Sequence, residues 1–199
     1  MKFRGKNLNW LWAVVLGILI FLGGSYFIFR PKVIPPEFIE ARIRGAEIAQ
    51  KIVGLSSVSL ETLDQIARHD REGNSPEALI LISNQLIQNR TTRDEAIALS
   101  TELEKMAGNL LDIKPARAQR LATEAVSYEV ALVSRLIGYN YFLTRLFEIL
   151  ESKFNGELAD ADGQVDTLIN QINGERQTIN NLNSKFNGAM AEFDRVFLK

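Results

Sequence analysis

His69 is the one histidine in a chain that has no cysteine, so acid–base catalysis, thiol nucleophiles and thiolate metal sites have little to draw on. It stands in Ala-Arg-His69-Asp70-Arg-Glu72-Gly, with Asp64 one turn upstream. A metal at His69 needs further ligands brought in from other helices. A histidine near the end of a helix is favoured by the helix dipole without any ligand, so the reading is a cap or a solvent-facing ring. Asp160-Ala-Asp162-Gly163-Gln-Val165 resembles the middle of a calcium loop aligned on Gly163. The first and twelfth loop positions then fall on Leu158 and Ile169, where the ion needs an Asp and a bidentate Glu. These acids are better explained as favourable charge at a helix N-terminus. Asn89-Arg90-Thr91 fits the glycosylation sequon and suits an exposed turn.

Six aromatic residues, Tyr128, Tyr139, Tyr141, Phe142, Phe147 and Phe154, crowd one stretch. Such a group is ordinarily core. Tyr139, Tyr141 and Phe142, however, point in different directions on one helix, so at least one faces water. Those three form the candidate interaction surface. There is no nucleophile–base pairing, phosphate-binding glycine loop or paired-carboxylate signature. The chain is therefore expected to hold no catalytic residue, no metal and no cofactor, and not to be an enzyme.

What positions these residues is a set of helices behind one apolar run. Trp10 to Phe29 is twenty residues without a charge, ~30 Å as a helix, the thickness of a bilayer's hydrocarbon core. Trp10, Trp12, Tyr26, Arg30 and Lys32 suit the two membrane interfaces. The run is longer than the ~7–15 apolar residues of a cleaved signal, and Tyr26-Phe-Ile-Phe29 continues it past the small residues Gly23 and Ser25. An uncleaved anchor follows. Of 23 basic residues, Lys2, Arg4 and Lys6 precede the run, whereas all 24 acids follow it. The positive-inside rule then places the N-terminus in the cytoplasm and the rest outside it. The mildly acidic remainder argues against nucleic acid as a partner.

Arg30-Pro-Lys-Val-Ile-Pro-Pro36 is a stiff spacer. Phe38, Ile39, Ile43, Ala46, Ile48, Ile52 and Val53 recur at helical spacing to about residue 55. Ser56–Ser59 is expected to break that helix, with Ser59 capping a second one that ends at Gly73. Ser75-Pro76-Glu77 restarts helix in the order cap, proline, acid. Asn89–Thr92 is a candidate break, so residues 76–113 read as one helix or two.

Pro115 opens a helix over about 115–155 whose seam is Ala122, Ala125, Leu132, Leu136, Tyr139, Leu143, Leu146 and Leu150, closed by Gly156. Glu129, Arg135 and Arg145 interrupt it and exclude a second membrane span. The last helix, about 160–197, holds one heptad register from Val165 to Val196, violated by Glu175.

The expected fold is all-α: one N-terminal transmembrane helix, then an elongated bundle ending in a long antiparallel coiled-coil-like hairpin. The divisions are a basic tail (1–9), the anchor (10–29), the spacer (30–36), shorter bundle helices (37–114) and the hairpin (115–199). The functional expectation is a single-pass scaffold or adaptor, partnered by the lipid bilayer and by a protein or a second copy. The alternative is a ligand-sensing bundle working with a membrane partner.

Overall fold

Proline, glycine and short polar turns divide the chain into four long helices. The computed structural model describes residues 33–158 and 160–198. The basic tail and the anchor with Trp10, Trp12, Tyr26, Arg30 and Lys32 lie outside the described residues. None of the described helices is long and apolar enough to cross a membrane.

Helix α1 (Pro36–Glu72) begins with proline in its first turn, where a missing N–H costs nothing. It ends at Gly73, whose φ of 68° lets the N–H groups of Gly73 and Asn74 return to the carbonyls of Asp70 and His69. Helix α2 (Ser75–Gly108) is followed by a single 3-10 turn, Leu110–Asp112. Val33 and Lys114 then pair through two backbone hydrogen bonds of 3.1 and 2.9 Å, and the Lys114–Pro115 peptide is cis. Helix α3 (Ala116–Phe154) closes at Asn155 and Gly156, the latter at φ 73°. Helix α4 (Ala161–Phe193) passes into a short π-helical segment, Asp194–Leu198.

Several expectations need correction. Ser56–Ser59 does not break α1. The Ser57 hydroxyl donates back to the Gly54 carbonyl, and the Ser59 hydroxyl shares its one proton between the Leu55 carbonyl and Gln85 Oε1, which keeps the helix path open. Asn89–Thr92 is mid-helix, where the Thr92 hydroxyl donates to the Gln88 carbonyl, so residues 75–108 are one helix. Asn74 rather than Ser75 precedes α2. The first two helices are nearly as long as the last two: α1 to α4 have 37, 34, 39 and 33 residues, each ~50–58 Å long.

Each helix packs against its neighbour in the chain, α1 on α2, α2 on α3 and α3 on α4, as an up-down-up-down bundle. The α3–α4 pair is the antiparallel hairpin expected from its seam and its short connection. Two apolar clusters fill the interior. One, near the start of α1, includes Phe38, Leu99, Met106, Val126 and Phe193. The other, near its end, includes Ile66, Ile82, Leu143, Phe147 and Ile172.

Between them runs a belt of buried polar side chains. The Ser59 hydroxyl donates to Gln85 Oε1 at 2.9 Å, and Gln85 Nε2 donates to Thr62 Oγ1 at 3.0 Å. Asn140 Nδ2 donates to the Asn89 carbonyl at 3.0 Å, and Asn89 Nδ2 to Thr144 Oγ1 at 3.4 Å. A belt whose members satisfy each other can be met in one helix register only, because sliding any helix by a turn leaves buried polar atoms unpaired. It therefore specifies the alignment of α1, α2 and α3.

Candidate functional site

The fourth side of the bundle, between α1 and α4, is the open one. At one end the two helices meet through Phe38 and Phe193, with ring centroids 5.9 Å apart. One turn further, Arg42 clamps Asp194 with two hydrogen bonds of 2.6 and 2.7 Å. Beyond that clamp Ala46 and Ala49 line the α1 side, too small to reach across, while Gly45 packs on Leu99 and Glu102 of α2. A hollow of about 390 Å³ is left between α1 and α4. Leu99, Leu103 and Met106 of α2 line it, as do Phe186 and Met190 of α4.

Glu129 projects from α3 into this hollow. It is 6% exposed and takes no hydrogen bond or ion pair among the described residues. Burial alone pushes its carboxyl up to about 7. Sequence reasoning used Glu129 only to exclude a second membrane span. Yet it occupies the seam position between Ala125 and Leu132, where the four-three spacing calls for an apolar residue. That mismatch was the available signal.

The other acids around the hollow are already partnered. Glu102 accepts from Lys105 Nζ at 2.6 Å and from Arg44 Nε at 3.0 Å. Lys105 first, and then Arg44, hold its carboxyl below the usual range against the opposing effect of burial. Further along the same seam lies a smaller hollow of about 240 Å³, bordered by Val53 and Leu60 of α1 and by Ile179 of α4. Val53 is 68% exposed there.

The three aromatic candidates do not share a surface. Tyr139 is 6% exposed, belongs to the core and lines the smaller hollow. Phe142 is half-buried against the same core. Tyr141 is 64% exposed, stacks edge-on against Phe142 and faces outward beside Arg90 and Arg93 at the α2–α3 groove. The cause is the 100° step per residue, which sends positions 139, 141 and 142 to different sides of α3.

The remaining motifs have structural surroundings. His69 lies in the last turn of α1, where its carbonyl receives the Asn74 N–H, and its Nδ1 is 3.4 Å from the Asn74 amide. Asp162 and Asp70 both contact Lys153 Nζ, at 3.0 and 2.9 Å. Among the described residues no three His, Asp or Glu side chains converge as metal ligands would. Asn89 of the sequon is buried in the middle of α2 and is not in an exposed turn. Glu175, the violation in the α4 register, accepts from Arg135 at 3.2 Å and lies over Gly138.

Comparison with protein-family models, curated proteins and solved structures finds no match to this chain.

Proposed function

We propose that the chain is a single-pass, membrane-anchored helical bundle that works as a scaffold or adaptor, without catalysis, its bundle lying outside the cytoplasm. The observation that supports this is the open α1–α4 seam. A closed four-helix bundle covers all four of its interhelical seams, whereas this one leaves Val53 and Leu60 at the rim of an apolar hollow. Such a groove accepts an amphipathic helix of a partner or of a second copy. The bilayer fits the opposite requirement. Val33 follows Phe29 by four residues, ~14 Å at full extension, and at that end of the bundle Leu111 is 83% exposed.

A photocrosslinking residue at Val53, placed in the full chain in native membranes, tests the docking reading against a control at the exposed Glu104 of α2. The expected result is one discrete product from position 53, its mass telling a dimer from a heterologous complex, and none from 104. Equal, diffuse crosslinking from both positions refutes it. Cysteine at Asn187 tests the orientation. Labelling by a membrane-impermeant thiol reagent in intact cells is expected, and labelling only after lysis refutes the outward placement. A second reading, ligand sensing with a membrane partner, is favoured by the hollow that holds Glu129.

A further inference from the structure

We propose that the larger hollow between α1 and α4 binds a small organic cation, a compact apolar body carrying one primary or secondary ammonium group that pairs with the Glu129 carboxylate. The inference rests on the ligand-sensing reading and deepens it.

Three observations carry it. Glu129 is a nine-tenths-buried acid aimed into the space with no protein partner. An unpaired carboxyl among apolar side chains is costly, and a ligand that supplies an ammonium group turns that cost into a charge-assisted hydrogen bond. The volume, about 390 Å³, lies at the small end of ligand pockets, which run ~300–1,000 Å³. The walls are mostly apolar, as a hydrocarbon body requires.

The charges on every helix around the space select the sign of the ligand. From α1, Arg42 is occupied by Asp194 of the segment that follows α4. From α2, Glu102 is occupied by Arg44 and Lys105. From α3, Glu129 is the one charge-bearing group left open. An anion would face Glu129 while the nearest cation, Arg42, is spent on Asp194, and a neutral guest would leave Glu129 unpaired. Asn187 of α4 also borders the space; its amide nitrogen donates to Asn183 Oδ1 at 3.1 Å, which leaves its own Oδ1 to accept from a remaining ammonium proton.

The test uses the full chain in lipid nanodiscs with 13C-labelled glutamate carboxyls, the Glu129 signal being assigned by its loss in Glu129→Gln. The probe is cyclohexylammonium chloride and its neutral counterpart is cyclohexanol. The expected result is a saturable displacement of the Glu129 signal toward its ionised position by the ammonium compound alone. Binding should tighten about tenfold from pH 6 to pH 8, as the ionised fraction of a carboxyl titrating near 7 rises from about a tenth to nine-tenths. Ala49→Phe, which fills the hollow but leaves Glu129 in place, should abolish the displacement; a response that survives it overturns the proposal. Equal displacement by cyclohexanol ends the cation assignment while leaving an apolar ligand site. No saturable displacement by either compound ends both.

Discussion

Glu129→Gln should remove most of one pH dependence from the stability of the bundle. The side chain is 6% exposed and burial is the single cause that raises its carboxyl from 4.5 to about 7. In the unfolded chain the group ionises near 4.5, and in the folded chain near 7. Below pH 4.5 both states hold the proton and Glu129 contributes no pH dependence. Between 4.5 and 7 the folded state keeps a proton that the unfolded state has lost, so stability falls as pH rises. Above 7 the loss is complete. At ~1.4 kcal/mol per pH unit it amounts to about 3 kcal/mol. Glutamine cannot ionise, and any fixed cost of burying its amide is the same at every pH. Urea unfolding of both proteins from pH 4 to 8.5, followed by helical circular dichroism, reads the difference directly. Variant-minus-parent stability should climb by about 3 kcal/mol across that window. A flat difference would mean that Glu129 is solvated. A difference that falls with pH would mean that it is ion-paired, and either result refutes the unpartnered acid.

Gln85→Ala should lower the urea midpoint by an amount equivalent to ~2–4 kcal/mol, because it opens a cavity and removes the partner shared by the Ser59 and Thr62 hydroxyls, which are left with only the carbonyls of their own helix. The triple change Ser59→Ala, Thr62→Val, Gln85→Leu should recover much of that loss, since no polar partner is then left unpaired. Phe193→Ala removes a fully buried ring that touches both Phe38 and Phe197, and should cost ~3–5 kcal/mol in the same assay. Gly73→Ala should destabilise by ~1–2 kcal/mol without altering any packing contact, because Gly73 sits at φ 68° with open space around it. Thermal unfolding should show the shift, and an unchanged midpoint would refute the need for glycine there.

The helices themselves were legible in the residues. Pro36, Pro76 and Pro115 stand at or next to the starts of α1, α2 and α3, and Gly73 and Gly156 mark two of the ends, because these residues act through backbone geometry that no distant contact alters. The four-three spacing of α3 and α4 foretold that they pack together, since a helix with one apolar stripe has one face to bury, and the short connection between them makes the pair antiparallel. Ser56–Ser59 and Asn89–Thr92 misled because a polar cluster reads as a turn when only its neighbours in sequence are considered. Ser57 and Thr92 turn their hydroxyls back onto carbonyls of their own helix, while Ser59 and Asn89 meet Gln85, Asn140 and Thr144, which lie 26 to 55 residues away.

The site was legible only in part. Glu129 was visible as an acid in an apolar helix, but its meaning depends on what stands opposite. Tertiary structure alone decided that Ala46 and Ala49 line the space it enters, that Arg42 is spent on Asp194, and that the α1–α4 side stays open. Local sequence sets which face of a helix is apolar through short-range periodicity. Whether a charge on that face meets a partner, water or an empty space depends on side chains brought together from all four helices, and no single stretch of the chain encodes that.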